Sequence, residues 1–386
     1  MRDVAIIGLG QTPVAEHWDS SLRDLATQAL REALTDADIS DLSSVDAMYV
    51  GNAYGAPITS QSQLGALLAD LGGLRGIEAY TVEAAEASGA AALRTGYLAV
   101  ASGAVETAIV LGIEKATDRV GADHLRARGV SLDADYEAIH GATLPALAGL
   151  LMRRYMHEYG IELSAFENFS ANAHLNGSTN ANAMFRNKLK PGAFAKAPSV
   201  AAPVSLFDGA PDADGAAAVI LTSADRAGDL VPQPIHIAAS AVATDALALH
   251  DRADLLTLMA AQRAAQKAYA AAGIGPDDLD LFELHDAFTV ISALTLEATG
   301  FAARGEGWKL AQESLIGREG SIPLSTFGGL KSRGNPIGAT GIYQAVEATL
   351  QLRGAAGANQ VADARIAMIQ NLGGLGSTAI THILRA

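Results

Sequence analysis

Three observations predict a duplicated α/β fold for this chain. Apolar strand-like runs alternate with amphipathic helical stretches, the order of those elements recurs in the two halves, and a segment of different composition, residues 119–203, separates them. In the first half, Asp3–Gly8 reads as a strand, Ser21–Asp36 as an amphipathic helix and Ala47–Gly51 as a strand. A second helix then opens near Glu86, and TAIVLGIEK, residues 107–115, is an apolar strand. The second half runs through the strand Ile235–Ala241, the helix Ala253–Ala272, the strand DLFELHDAF, a helix opening near Gly341 and the apolar strand ARIAMIQNLGG. The two halves match best at one helix exit: DADISDLSSVDAMYV and AAGIGPDDLDLFEL each pass from a helix end through a polar turn into a strand. The predicted division is residues 1–118 with 204–225 as the N-terminal half, 119–203 as an inserted loop domain, and 226–386 as the C-terminal half.

Composition limits the function. A chain of 386 residues with 49% hydrophobic and 18% charged residues has the material for a large folded core. Its net charge of -15 argues against wholesale nucleic-acid binding. Met1-Arg2-Asp3 leads straight into VAIIG, unlike a secretory signal, and no apolar run reaches the roughly 18 residues of a membrane span, so a soluble cytoplasmic protein is expected. There is no cysteine, which removes disulfides, cysteine-ligated metals and any thiolate nucleophile.

Two loops carry the chemistry. SLFDGAPDADGAAAVILT sets Asp208, Asp212 and Asp214 among glycines; the spacing lacks the glutamate and length of an EF-hand, and a turn feeding a buried strand is expected rather than a calcium site. GGLKSRGNPIGATG, residues 328–341, holds five glycines and a proline in fourteen residues, so it is a shaped loop and not a helix or core strand. With Lys331 and Arg333 on the loop and a helix starting after it, a small acceptor or anion could be held at that helix start.

Taken in order, VAIIGLGQTP, VEAAEASGAAALRTGYLAVASG with LGIEK, the DGAAA turn, ELHDAF, the glycine loop and the terminal NLGGLGSTAITHIL resemble the landmarks of the thiolase superfamily over essentially the whole chain. The HDAF form is similar to the bacterial and archaeal branch related to sterol-carrier-protein-type thiolases. The resemblance implies a duplicated five-layered α-β-α-β-α fold, a homodimer, and acyl-coenzyme A as substrate or ligand. It also shows what is missing. The position of the nucleophilic cysteine holds Glu86, the histidine of the loop's GHP triplet is Asn335, and the second cysteine corresponds to Asn371. The cysteine of the HDCF variant is Ala287, and of the catalytic set His285 remains. Ser88 lies two positions further into the helix with no base beside it. Cysteine-based thiolysis or condensation is therefore excluded.

Two readings remain open. In one, Glu86 acts as base or acid while His285, Asn335 and the amides of Gly374 and Leu375 polarise a thioester, giving acid/base C–C cleavage or decarboxylation of an acyl-CoA. In the other, the chain is a non-catalytic acyl-CoA-binding scaffold, working with a small partner that carries a zinc ribbon and an oligonucleotide-binding-type (OB-fold) barrel. Arg186, Lys188, Lys190 and Lys196 are candidates to cradle the coenzyme's phosphates. No metal is expected. His140, His157 and His174 have no metal-like spacing, and His382 falls in a strand-like run.

Overall fold

In the computed structural model, which describes residues 1–386, the first half contributes β1 (Val4–Gln11), α1 (Leu22–Asp36), β2 (Ala47–Gly51), α2 (Leu64–Leu71), β3 (Glu78–Val82), α3 (Ser88–Ser102) and β4 (Thr107–Lys115). The inserted segment supplies α4 (Gly121–Arg128), α5 (Leu144–Tyr159), α6 (Glu167–Gly177) and the two-stranded pair β5 (Ser199–Ala201) and β6 (Val204–Ser205). The chain re-enters the first half through β7 (Asp214–Ser223) and leaves it by α7 (Ala224–Leu230). The second half consists of β8 (Ile235–Thr244), α8 (Met259–Ala272), β9 (Leu281–Glu283), α9 (Thr289–Ala298), α10 (Gly307–Gln312), α11 (Thr340–Leu352), β10 (Ile366–Gly373) and β11 (Thr378–Arg385).

The nine-stranded sheet has the order β3-β2-β4-β7-β1-β8-β11-β10-β9. Reading outward from its centre, β1-β7-β4-β2 and β8-β11-β10-β9 repeat one pattern: two antiparallel pairings, then a parallel one. The duplication is thus present in topology as well as in sequence, with β3 as the extra strand. The halves join where Ala5 meets His236 and Ile6 meets Ile235. Helices α1 and α2 cover the outer face of the first half-sheet, and α8 that of the second, with α9 packed beside α8. Between the half-sheets lie α3 and α11, which also pack on each other, completing five layers. This explains the runs without alternation: β4 and β7 are buried along their whole length because helices cover both faces.

The element boundaries differ from the sequence reading in instructive places. Ser21 is the cap of α1, its Oγ accepting from the Asp24 amide while Asp24 Oδ2 accepts from the Ser21 amide. Helix α8 starts at Met259, not Ala253, because the Asp254 side chain accepts from Leu256 N and Thr257 Oγ1 and stabilises a local turn. Of DLFELHDAF only Leu281–Glu283 is strand, and the rest turns toward the cavity. Part of the polar stretch in the insertion is helix α6. Its Asn172 and Asn176 donate to the Leu324 carbonyl, Asn176 also to Ser325 O, and Asn180 just beyond it to Phe327 O. These asparagines hold the segment that leads into the glycine loop.

The loop itself is buried throughout, from Gly328 to Gly341. Its cations do not form an open anion cradle: Arg333 Nη1 pairs with Glu347 at 2.7 Å, and Lys331 Nζ donates to the Asp208 carbonyl. The three aspartates of the turn have separate partners. Asp208 accepts from Ser205 and Thr289, Asp214 binds Lys115, Thr117 and the His17 amide, and Asp212 faces the cavity described next. The turn does feed a buried strand, β7.

Candidate functional site

A cavity of about 650 Å³ opens between the inserted segment and the central helices. Its wall takes Glu86 from the turn before α3, Arg128 and His124 from α4, Asp212 from the turn before β7, His285 after β9, and Asn335 from the glycine loop. Each half and the insertion therefore contributes. The main chain allows this convergence by close approach at glycine: a Cβ on Gly341 would lie 2.3 Å from the Ala90 amide nitrogen of α3. Just before Glu86, Ala85 adopts φ 50°, a left-handed conformation that costs a non-glycine residue energy and fixes the turn.

Glu86 is 2% exposed, and both its oxygens are engaged. Oε1 accepts from Tyr54 Oη at 2.9 Å and lies 2.9 Å from Arg128 Nη1; Oε2 accepts from the Gly374 amide at 2.7 Å. Burial pushes this carboxyl up, but Arg128, backbone amides including Gly374, and His285 outweigh it and hold the pKa below the ordinary glutamate value. Glu86 is thus an ionised group with each oxygen already engaged, Oε1 by Tyr54 and Arg128 and Oε2 by Gly374, and it has no proton to give. The same bond uses the Gly374 amide that the sequence assigned to an oxyanion site. Leu375 lies outside the cavity wall, its carbonyl accepting from Arg252 Nη1. The Gly374 amide is therefore already committed to Glu86, and Leu375 stands away from the wall.

Arg128 is the hub, and the sequence reading missed it. Besides Glu86 it reaches Asp212, with Nε 3.1 Å from Oδ2, and its guanidinium stands 4.8 Å from the Tyr54 ring centroid. Asp212 Oδ2 also binds His124 Nε2 at 2.9 Å, and Oδ1 accepts from Asn335 Nδ2 at 3.4 Å. Burial raises the Asp212 pKa, yet Arg128, His124 and Asn335 bring it below the ordinary value. The available signal was the i, i+4 spacing of His124 and Arg128 on one helix, which puts both on one face.

His285 is 1% exposed, and burial, opposed by Glu86 and reinforced by Arg128, Arg333 and Lys331, lowers its pKa to about 4. It is neutral at physiological pH. Asn371 lies behind it rather than in the wall, with Nδ2 2.9 Å from His285 Nδ1. An amide nitrogen can only donate, so the ring proton sits on Nε2, which has no protein partner. Asn335 Oδ1 accepts from Thr340 Oγ1 at 3.0 Å, which turns its amide nitrogen toward Asp212 and the cavity. Ser88 is occupied, its Oγ donating to Ala85 O and accepting from Ala84 N. Lys331 lines the cavity with its pKa lowered by burial to about 8.

Of the four proposed phosphate ligands, Lys188 and Lys190 are at the cavity wall, whereas Arg186 and Lys196 are exposed elsewhere. His140 and His157 face solvent, and His382 is buried in β11 with Nε2 3.3 Å from Ala90 O. His174 does line the cavity, stacked beside Phe185 with Nδ1 3.3 Å from the Asn187 carbonyl. No cluster of three metal-ligating side chains is present, and no helix is long and apolar enough to cross a membrane.

Residues 4–198 match the family description "Thiolase, N-terminal domain", and residues 241–386 match "Thiolase C-terminal domain-like". The chain is 43% identical over 383 residues to an acetyl-CoA acetyltransferase of Methanothermobacter thermautotrophicus, covering 99% of each. It is 39% identical to the acetyl-CoA acetyltransferase of Methanocaldococcus jannaschii, covering 100% of this chain and 99% of that one. Identity to the benzoylsuccinyl-CoA thiolase subunit BbsB of Thauera aromatica is 30%, over 97% and 95% of the two chains. Among solved structures, the Ltp2-ChsH2(DUF35) aldolase superposes with a TM-score of 0.87 at 24% identity, over 100% of this chain and 98% of that one, a likeness of fold.

Proposed function

Since the chain belongs to the thiolase family, we propose that it binds an acyl-coenzyme A in the cavity and cleaves a C–C bond of the acyl group by acid/base chemistry, without an acyl-enzyme. The observation that carries this reading is the His285 Nε2–H, a neutral, buried donor with no protein partner in the cavity wall. Such a donor suits a thioester oxygen on which negative charge develops, because a preorganised dipole in a buried site needs no solvent rearrangement. Asn335, whose amide nitrogen is held only by a 3.4 Å bond to Asp212, supplies a second donor. Glu86 contributes charge rather than a proton. A malonyl-type substrate for decarboxylation would bring a carboxylate toward the anionic Glu86, so retro-aldol cleavage of a neutral β-hydroxyacyl thioester is favoured over decarboxylation.

The test is incubation of the purified protein with a series of β-hydroxyacyl-CoAs, with mass-spectrometric detection of a shortened acyl-CoA and the matching aldehyde or ketone. Cleavage that falls ~100-fold or more in His285→Ala is the expected outcome. Tight acyl-CoA binding with no cleavage anywhere in the series contradicts this reading and favours the second.

One observation supports that second reading, a non-catalytic acyl-CoA-binding subunit: every polar contact of Glu86 is internal, as in a plugged nucleophile pocket. In that case a small partner with a zinc ribbon and an OB-fold barrel completes the assembly. Under either reading, Lys188 and Lys190 at the wall meet the coenzyme's phosphates. The homodimer expected of the family would use strand β3, which ends the sheet with an unpaired edge and leaves Tyr80 45% exposed.

A further inference from the structure

The acid/base reading needs a group that removes a proton, and both oxygens of Glu86 are already engaged. We propose that His124, oriented by Asp212, is the base that takes the β-hydroxyl proton of the bound acyl-CoA and returns it to Cα; this rests on the cleavage reading above.

The geometry runs as follows. Helix α4 carries His124 and Arg128 on one face, and both reach the same Asp212 oxygen, at 2.9 Å and 3.1 Å. A carboxylate can only accept, so it fixes the imidazole proton on Nε2 and leaves the lone pair on Nδ1. His124 Nδ1 is buried and has no partner in the protein. Three imidazoles line the cavity, and they differ in what stands behind them: His285 has the Asn371 amide, His174 a backbone carbonyl, and His124 a carboxylate. A carboxylate behind the ring stabilises the imidazolium that forms when the base receives a proton, the role the aspartate plays in a catalytic triad. Both rings line one cavity, His285 with an unpartnered donor and His124 with an unpartnered acceptor, the complementary pair that cleavage requires.

The step balances without a co-reactant. The β-hydroxyl proton moves to His124 Nδ1, and the C–O bond becomes a carbonyl. The Cα–Cβ bond breaks, and its electron pair passes into the thioester as an enolate held by the His285 Nε2–H. The His124 imidazolium then protonates Cα, giving an aldehyde or ketone and a shortened acyl-CoA and restoring the ring. Arg128, fixed between Glu86 and Asp212, places a cation near the developing alkoxide. His124 and Asp212 contact the reaction differently: the first is a catalytic residue, the second a positioning residue.

The final proton transfer can be run alone, which removes dependence on the native acyl chain. With acetyl-CoA as probe in D2O, the protein should exchange Cα hydrogen for deuterium, read by mass spectrometry. We expect His124→Gln, which can still donate to Asp212, to lower the exchange rate ~100-fold or more while acetyl-CoA affinity stays within a few-fold, and added imidazole to restore part of the rate to His124→Ala. Asp212→Asn should lower the rate while shifting its pH profile, which loss of structure alone would not do. Exchange at the wild-type rate in His124→Gln overturns the assignment of the base and leaves the cleavage reading intact. Wild-type protein that binds acetyl-CoA but exchanges nothing overturns the assignment as well, and the cleavage assay then judges the reading separately. Failure to bind acetyl-CoA or any other acyl-CoA sinks both.

Discussion

Arg128 and Glu86 form a mutually dependent pair. Removing the guanidinium in Arg128→Ala leaves the buried Glu86 and the half-buried Asp212 without their shared cation, and breaking a buried pair in this way costs about 3–5 kcal/mol. Glu86→Gln should cost less, because Arg128 keeps Asp212 and the amide can still accept from Gly374. Equilibrium urea unfolding of the two variants checks the asymmetry; equal losses would mean that Arg128 is not the hub. Without Arg128 the burial of Glu86 loses its largest offset, so its carboxyl should titrate higher than in the parent, visible by carbon NMR of the carboxyl. At this scale the sequence was legible only in part. Glu86, His285 and Asn335 stood out because each sits inside a recognisable motif, and all three line the cavity. Asp212 stood in the aspartate turn, but His124, 88 residues away, carries no motif, so only folding of the insertion onto the turn before β7 reveals the pair. The oxyanion role given to Gly374 failed because an amide's partner is decided by tertiary contact.

The central layer depends on the two helices α3 and α11 meeting at their N-terminal ends. At Gly341 a methyl group would fall 2.3 Å from the Ala90 nitrogen and 2.8 Å from Asn371 Oδ1, and the nearer of these is backbone that cannot swing aside. Gly341→Ala should therefore cost about 1–3 kcal/mol or more in urea unfolding, since overpacking forces a backbone shift. It should also disturb the Asn371–His285 contact and hence any thioester chemistry. A variant as stable as the parent would show that the helices are less tightly packed than described. Elements were the most readable level. Strands covered on both faces leave long apolar runs, and repetition of their order exposed the duplication. Boundaries were lost where side chains overrode periodicity, as Asp254 does before α8. The asparagines of helix α6 carry no apolar periodicity because they serve the segment leading into the glycine loop across a tertiary contact.

Over the whole molecule, buried ionisable groups set opposing dependences on pH. His382 has its pKa lowered by burial to about 3, against about 6.5 unfolded. Between those values the unfolded chain binds a proton that the folded chain refuses, so this term stabilises the fold at neutral pH and is lost as pH falls from about 6.5 toward 3, by about 1.4 kcal/mol per pH unit. Glu114 behaves oppositely. Burial raises it to about 7 against the pull of the Ala53, Gly338 and Tyr54 amides, so its contribution is complete below the unfolded value near 4.5 and is lost as pH rises through about 7. Because the terms overlap, the decisive quantity is a difference. His382→Leu should flatten the dependence of unfolding free energy on pH between about 6.5 and 4 relative to the parent, and parallel curves would refute the neutral buried state of His382.

An ionised glutamate ends the turn before the central helix, held by a tyrosine, an arginine and a main-chain amide. A carboxylate is not oxidised by peroxide, does not exchange with disulfides and is a poor target for thiol-directed electrophiles. Whatever passes through this cavity, its chemistry is insulated from the redox state of its surroundings, a vulnerability that a thiolate at the same helix end would carry.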